Sequence, residues 1–301
     1  MRRRAFLASA GLTALAGCSN GDDSATATPT GTPTNTGTAT FELRGARFPG
    51  SKTLNVSTQF VIAIENTGSA AGTFTSDLQM KVGDDAWETA GEIKMELAAG
   101  ETGEWHSPEF LPQYLTTLHF RLDAFDETWS IRIDPRELDF NNFYAVPTGL
   151  YINVLGGSFE PSYPTTNETT NETTSDGTNN DTLTVDTATP TPTGTTTATQ
   201  TATSAPEGQS WAVMKVDVRN SLNEPQAAPP ASSFVLEVDG ERRPQHQDVS
   251  DNPYEGGDLA GRTVRRGELV YAVPAGTRAR DITLVWEQSL PDGDVKVVWT
   301  K

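Results

Sequence analysis

Leu15-Ala16-Gly17-Cys18 holds the one cysteine of a 301-residue chain. Small residues ahead of a cysteine let a peptidase reach the bond before it, and the freed thiol can then take a diacylglyceryl group. Cys18 is therefore the expected lipidation site. Four Asn-X-Ser/Thr sequons offer acceptor amides for N-glycosylation: Asn55-Val56-Ser57, Asn167-Glu168-Thr169, Asn171-Glu172-Thr173 and Asn180-Asp181-Thr182. Beyond these attachment points, chemistry is scarce. His106, His119 and His246 have no second histidine or carboxylate at metal-ligand spacing, and zinc needs three or four ligands; each is read as a surface histidine. No G-x-S-x-G turn exists to expose a nucleophilic serine, and Gly256-Gly257 stands outside any phosphate loop. A single cysteine also rules out an intrachain disulfide or a multi-cysteine metal site. The chain is expected to have no catalytic residue, no cofactor and no metal, and not to be an enzyme. The acidic loop from Asp248 to Asp258 has the oxygens that calcium wants, but Pro253 breaks any loop repeat. It is read as a solvated loop, with divalent-cation binding left open. The tryptophans (87, 105, 129, 211, 286 and 299) are read chiefly as core packing, with a carbohydrate platform as the alternative.

These residues need elements to carry them. Arg2, Arg3 and Arg4 precede an apolar stretch too short for the roughly 20 residues of a membrane helix. Residues 1–17 therefore read as a cleaved export signal. Arg3-Arg4-Ala5-Phe6-Leu7 looks like the twin-arginine type, which exports proteins already folded. Residues 18–40 contain almost nothing apolar larger than alanine. They cannot offset their ordering entropy and are expected to be a disordered stalk. Removal of the signal's three arginines takes the formal net charge from −18 to −21. Excess carboxylates keep a protein soluble by mutual repulsion, and molar salt screens that repulsion. With the signal and the Thr-rich spacers, the chain resembles surface lipoproteins of extremely halophilic archaea. Nucleic acid is not an expected partner, since no basic patch faces phosphate.

From Phe41 the pattern alternates with period two. Phe60, Ile62 and Ile64 share one face of a strand in 56–66, and Leu118, Phe120 and Leu122 one face in 117–124. Further strands are expected at 74–82, 93–97, 103–106 and 128–133, separated by Gly/Asp turns. Short alternating strands at this spacing predict an all-β fold of two immunoglobulin-like antiparallel β-sandwiches. The first is expected over 41–138. The second, over 139–301, has strands at 149–158, 211–220, 234–238, 263–273, 282–287 and 295–299. It is interrupted at 165–206 by a Thr-rich tract, expected to be a disordered insert carrying three of the sequons. Long insertions are cheap, about 0.6 kcal/mol per doubling of length.

The stretch GQSWAVMKVDVRNSLNEPQAAPPASSFVLEVDGE, with Asn220, Pro225, Ser233-Phe234 and Asp239-Gly240, resembles a telokin-like immunoglobulin-like domain of unknown function. LAGRTVRRGELVYAVPAGT fits the same family: Gly261 starts a turn, Gly267 precedes a strand and Pro274 ends it. The first domain, through FVIAIENTGSAAGTF and LAAGETGEW, is similar to the cell-adhesion-related domain found in bacteria. Both resemblances imply sandwiches that present loops or edges to partners, without catalysis. The function expected is a non-catalytic cell-surface lipoprotein on the outer face of the membrane. It would bind or space envelope proteins, glycans or solutes. The alternatives are an accessory or folding subunit of an exported enzyme or transporter, and a divergent hydrolase.

Overall fold

The computed structural model describes residues 37–164 and 202–301. The export signal, Cys18, Asn167, Asn171 and Asn180 lie outside the described residues. The described chain is all-β; its helical content is confined to four single 3-10 turns. It divides into two compact units. One contains the described residues up to Glu137 together with Glu287–Val297; the other contains Leu138–Trp286 and Val298–Lys301.

The first unit opens with β1 (Phe41–Arg47), β2 (Ser51–Thr53), β3 (Val61–Asn66), β4 (Gly72–Val82) and β5 (Glu88–Leu97). It continues with β6 (Thr102–His106), β7 (Thr117–Leu122) and β8 (Glu127–Asp134). One sheet has the order β1-β3-β6 and the other β2-β8-β7-β4-β5. Alternation decides which residues meet between them. Phe60, Ile62 and Ile64 are buried, as are Leu118, Phe120 and Leu122. Each fully buried side chain of this kind contributes about 1.5–3 kcal/mol. Aromatic rings knit the interior: Phe48 stacks on Phe60 at 4.0 Å and on Trp129 at 4.8 Å. The antiparallel sandwich expected above holds, with a three-residue parallel pairing of β2 and β8 as a local departure. The chain turns at Pro49-Gly50, leaves the sheet of β1 and runs alongside β8. Residues 37–40, expected within the stalk, are held by the fold: Ser69 N–H donates to Thr38 O at 3.0 Å and Thr67 N–H to Thr40 O at 2.7 Å.

Next come β9 (Arg136–Asp139), β10 (Phe143–Ala145), β11 (Leu150–Glu160), β12 (Ser162–Pro164), β13 (Ala202–Ser204), β14 (Gln209–Asn220) and β15 (Gln226–Ala228). The remainder are β16 (Phe234–Val238), β17 (Glu241–Arg242), β18 (Gly257–Leu259), β19 (Val264–Pro274), β20 (Ile282–Leu290) and β21 (Gly293–Thr300). One sheet has the order β10-β11-β14-β19 and the other β17-β16-β20-β21-β9. The strands flanking the Thr-rich tract are direct neighbours, since β11 pairs antiparallel with β14 from Leu150↔Asn220 to Glu160↔Trp211. β12 pairs with β13 from Ser162↔Ser204 to Pro164↔Ala202. Residues 202–206, expected in the insert, therefore begin with a paired strand. Gly267, expected ahead of a strand, lies inside β19. A Cβ there would come within 2.4 Å of the Tyr254 Cα, so the glycine admits a backbone crossing over the sheet.

The two units repeat one plan. Phe41 pairs with Asn66 as Leu150 pairs with Asn220. Glu65 pairs with Thr102 as Arg219 pairs with Val264. Gly72 pairs with Leu97 as Gln226 pairs with Leu259. Each repeat turns on a fully buried asparagine at the end of its central strand. Asn66 Nδ2 donates to Ala70 O (2.8 Å) and Leu97 O (3.1 Å), and its Oδ1 accepts from Gly68 N–H (3.1 Å). Asn220 Nδ2 donates to Glu224 O (2.8 Å) and Leu259 O (3.0 Å), and its Oδ1 accepts from Leu222 N–H (2.9 Å). The units differ where prolines intervene. β4 runs unbroken through both of its pairings, whereas Pro229-Pro230, with no N–H to give a ladder, separate β15 from β16.

Candidate functional site

Trp211 and Val213 lie on the face of β14 opposite Ala212 and Met214, yet all four are buried. Alternation alone would leave the first pair in solvent. They are covered by a second, small apolar cluster containing Tyr163, Val249, Val270 and Ala272, with Ala205 packed against it. Tyr163 is the central side chain of β12, and β12 and β13 form the stem from which residues 165–201 leave and return.

The stem is fixed by polar contacts as well as packing. Trp211 Nε1 donates to Thr203 O at 2.9 Å, and Ala205 N–H to Pro161 O at 2.9 Å. The Tyr163 hydroxyl donates to Glu268 Oε2 at 2.6 Å. Ser250 Oγ donates to the same oxygen at 2.9 Å, and Asp251 N–H donates to the Tyr163 hydroxyl at 3.3 Å. Burial, and then the Glu268 carboxylate, push the Tyr163 phenol above its ordinary range. Charge-assisted bonds to a carboxylate are the strong kind. The cluster thus joins β12, β19 and the 247–251 turn. Its serine donates to a carboxylate that already accepts a phenol, and no imidazole stands in this hydrogen-bond set. A nucleophilic serine needs an adjacent base to take its proton; this arrangement clamps instead.

The acidic loop keeps Asp248, Asp251, Glu255 and Asp258 exposed to solvent, and it is anchored between them by apolar side chains. Val249 and Tyr254 are buried, and the segment 244–254 covers the outer edge of β19. His246 N–H donates to Val270 O at 2.7 Å, Tyr254 N–H to Glu268 O at 2.8 Å, and Glu268 N–H to Asn252 O at 2.9 Å. A bare strand edge is an aggregation template, and this cover removes it. His246, expected at the surface, is half-buried with its ring edge-on to Trp211 at 5.2 Å. The Arg265 guanidinium donates to the carbonyls of Glu255 (3.2 Å), Gly256 and Asp258 (2.6 Å). Carbonyls that a calcium ion would need thus converge on a fixed organic cation. Among the described residues no group of three His, Cys, Asp or Glu side chains could hold a metal.

Of the sequons, only Asn55 falls within the described residues. It occupies a turn after β2 with φ 54°. Its N–H donates to Pro112 O at 2.9 Å, and Ser57 Oγ donates to Glu109 at 3.0 Å. Ser250 lies within the acidic loop noted in the sequence; Tyr163, Arg265 and Glu268 do not stand out there. The available signal was an aromatic residue between prolines at the edge of a Thr-rich tract. No described helix is long and apolar enough to cross a membrane.

No family model matches the chain, and no curated protein matches it. Among solved structures it is similar to the "putative lipoprotein (ycdA)" of Bacillus subtilis, at 11% identity and TM-score 0.33 over 54% of this chain and 39% of that one. The chain thus spans about two fifths of that protein's length. It is also similar to an uncharacterized beta-sandwich protein of Clostridium difficile, at 12% identity and TM-score 0.31 over 56% of this chain and 94% of that one. A third is the yjhA protein of Bacillus subtilis, at 11% identity and TM-score 0.34 over 54% and 97%.

Proposed function

We propose that this chain is a non-catalytic cell-surface lipoprotein, held at the outer face of a membrane through Cys18, that displays its Thr-rich tract from the second unit. The observation that carries the reading is the stem: β12 and β13 are paired, and Tyr163 is buried on the neighbouring sheet. A linker between independent domains needs no such clamp. A displayed segment gains from one, because its point of departure is then fixed. The sequons at Asn167, Asn171 and Asn180, with Asn55, are its proposed glycan acceptors. Envelope proteins, glycans or solutes are the proposed partners. The reading also takes the acidic composition as adaptation to salt.

The test is membrane partition of the full chain and of Cys18→Ser, combined with intact-mass analysis. A diacyl anchor gives two chains, enough for stable attachment. Wild type should sediment with membranes until detergent is added, and Cys18→Ser should be released. A mutant that stays membrane-bound overturns the anchor. A mature mass without glycan additions overturns the display of modified asparagines.

A further inference from the structure

β7 alternates strictly, and β4 does so as far as Leu78. Leu78, Met80, Phe120 and Leu122 contribute to the core of the first unit, so Gln79, Lys81, His119 and Arg121 face outward. Register puts Gln79 opposite Arg121 and Lys81 opposite His119. On β8, Thr128 lies opposite Arg121 and Ser130 opposite His119. Just before β5, Trp87 returns over this face, with Lys81 Nζ 5.5 Å and Arg121 Cζ 5.0 Å from its ring centroid. Trp87 is half-exposed, while Trp211, Trp286 and Trp299 are buried and Trp105 and Trp129 pack against the first unit's core.

The electrostatics are unusual for a chain of net charge −18. On these two cross-strand rows stand a lysine, an arginine and a histidine with no carboxylate among them; Asp77 and Glu92 form the row beyond, and Asp84, Asp85 and Glu88 lie exposed in the hairpin that carries Trp87. Arg132 pairs with Asp134 at 2.7 Å, whereas Arg121 donates Nε (3.1 Å) and Nη2 to Gln79 Oε1. Those bonds tether the guanidinium to the neighbouring strand, beside the Trp87 ring. Strands about 4.8 Å apart make a row across β4, β7 and β8 with its flanking indole about 14 Å long. This suits an extended ligand.

We propose that this face binds an acidic polysaccharide, stacking the C–H face of a sugar ring on Trp87 and meeting its carboxylate or sulfate with Arg121 and Lys81. The proposal rests on the reading of the chain as a binding module and names its ligand class. Three features argue for a sugar: a half-exposed aromatic plane, hydroxyl and amide groups on the adjoining strands, and two cations within reach of the ring. A uronic acid holds its carboxylate directly on the ring that would stack, which matches an indole with two cations beside it, whereas a nucleic acid carries its charge on a backbone set apart from its stacking bases.

The test uses the soluble full-length Cys18→Ser chain. Tryptophan fluorescence and calorimetry are recorded with oligogalacturonate, neutral dextran and single-stranded DNA at several salt concentrations. Oligogalacturonate should bind and perturb the fluorescence. Dextran should not bind, and DNA should bind at least tenfold more weakly. Trp87→Ala and Arg121→Gln should each lower oligogalacturonate affinity about tenfold with an unchanged circular dichroism spectrum, and Arg121→Gln should also reduce the salt slope. Lys296→Gln, at a lysine paired with Glu287, should bind like wild type. Should Trp87→Ala misfold, Lys81→Gln serves in its place. The proposal is overturned by absence of oligogalacturonate binding, by equal binding of DNA, or by variants that bind normally. None of these outcomes bears on membrane attachment, which the Cys18 experiment reads separately.

Discussion

Asn66 and Asn220 give their amide hydrogens to carbonyls of two chain segments and accept an N–H with their oxygens. Each therefore closes a turn and joins it to a neighbouring strand. Alanine at either site strands one N–H and at least two carbonyls in a dry interior, at about 1–3 kcal/mol each before water or relaxation intervenes. Asn66→Ala and Asn220→Ala should each lower unfolding free energy by about 2–4 kcal/mol in urea titrations. Aspartate cannot donate and should not rescue. Two buried tyrosines set a different limit. The Tyr271 hydroxyl donates to Phe234 O at 3.0 Å, and that of Tyr254 to Pro229 O at 2.9 Å. Burial pushes both phenols well above the ordinary 10.0. Above pH 10 the unfolded chain gives up these protons while the folded chain keeps them. The stability they contribute is complete below pH 10 and is lost as pH rises toward the folded value. Tyr271→Phe should be about 1 kcal/mol less stable at neutral pH, yet decline less steeply between about pH 10 and 11.5. Denaturation series at stepped pH would show both.

Among the elements, the longer strands are legible in the sequence. The run Phe234–Val238 alternates for its whole length, and Ile62 and Ile64 mark β3. Strands of two or three residues, such as β2, β10, β12 and β17, are too short for periodicity to register, and neighbours impose them. The duplication was hidden for another reason. Beyond the asparagines and the leucines Leu97 and Leu259, its equivalent positions share pairing partners rather than side chains: Gly68 makes room for Thr38 and Thr40 in the first unit, while Gly149 makes room for Leu222 in the second. The close approach is the same, but the glycine sits on opposite partners. Tyr163 was illegible because one aromatic residue beside a polar tract carries no pattern, and its burial depends on β14 and β19. Tyr163→Ala should cost about 2–4 kcal/mol by loss of buried ring contacts. Replacing 165–201 by a short Gly-Ser turn should leave the fold intact and add at most about 2 kcal/mol of stability. Thermal melts of both variants test the stem. Equal melting of Tyr163→Ala and wild type would remove its role.

Over the whole molecule the dominant quantity is charge. At −18, or −21 without the signal arginines, the compact state carries substantial self-repulsion. Many described ion pairs are exposed, Arg47 with Glu104 at 2.9 Å among them. Exposed pairs contribute little and weaken with salt, so they cannot offset the excess. Stability should rise with KCl from about 0.1 M, where the Debye length is about 10 Å, toward 1 M, where it is about 3 Å. A melting temperature that ignores KCl over that range would instead assign the carboxylates to a specific basic partner.

The pairing of β11 with β14 has a consequence for what a protease could achieve. The peptide bonds between 165 and 201 lie in a covalent detour between strands that already hold each other along their length. A protease site engineered there and cut to completion should give two pieces on a denaturing gel and one particle on a sizing column. Its melting curve should remain cooperative. Pieces that part under native conditions would mean that the detour, rather than the ladder, joins the halves of the second unit. If the particle survives, scission of the tract leaves the second unit whole, because the ladder and not the covalent connection holds its strands together.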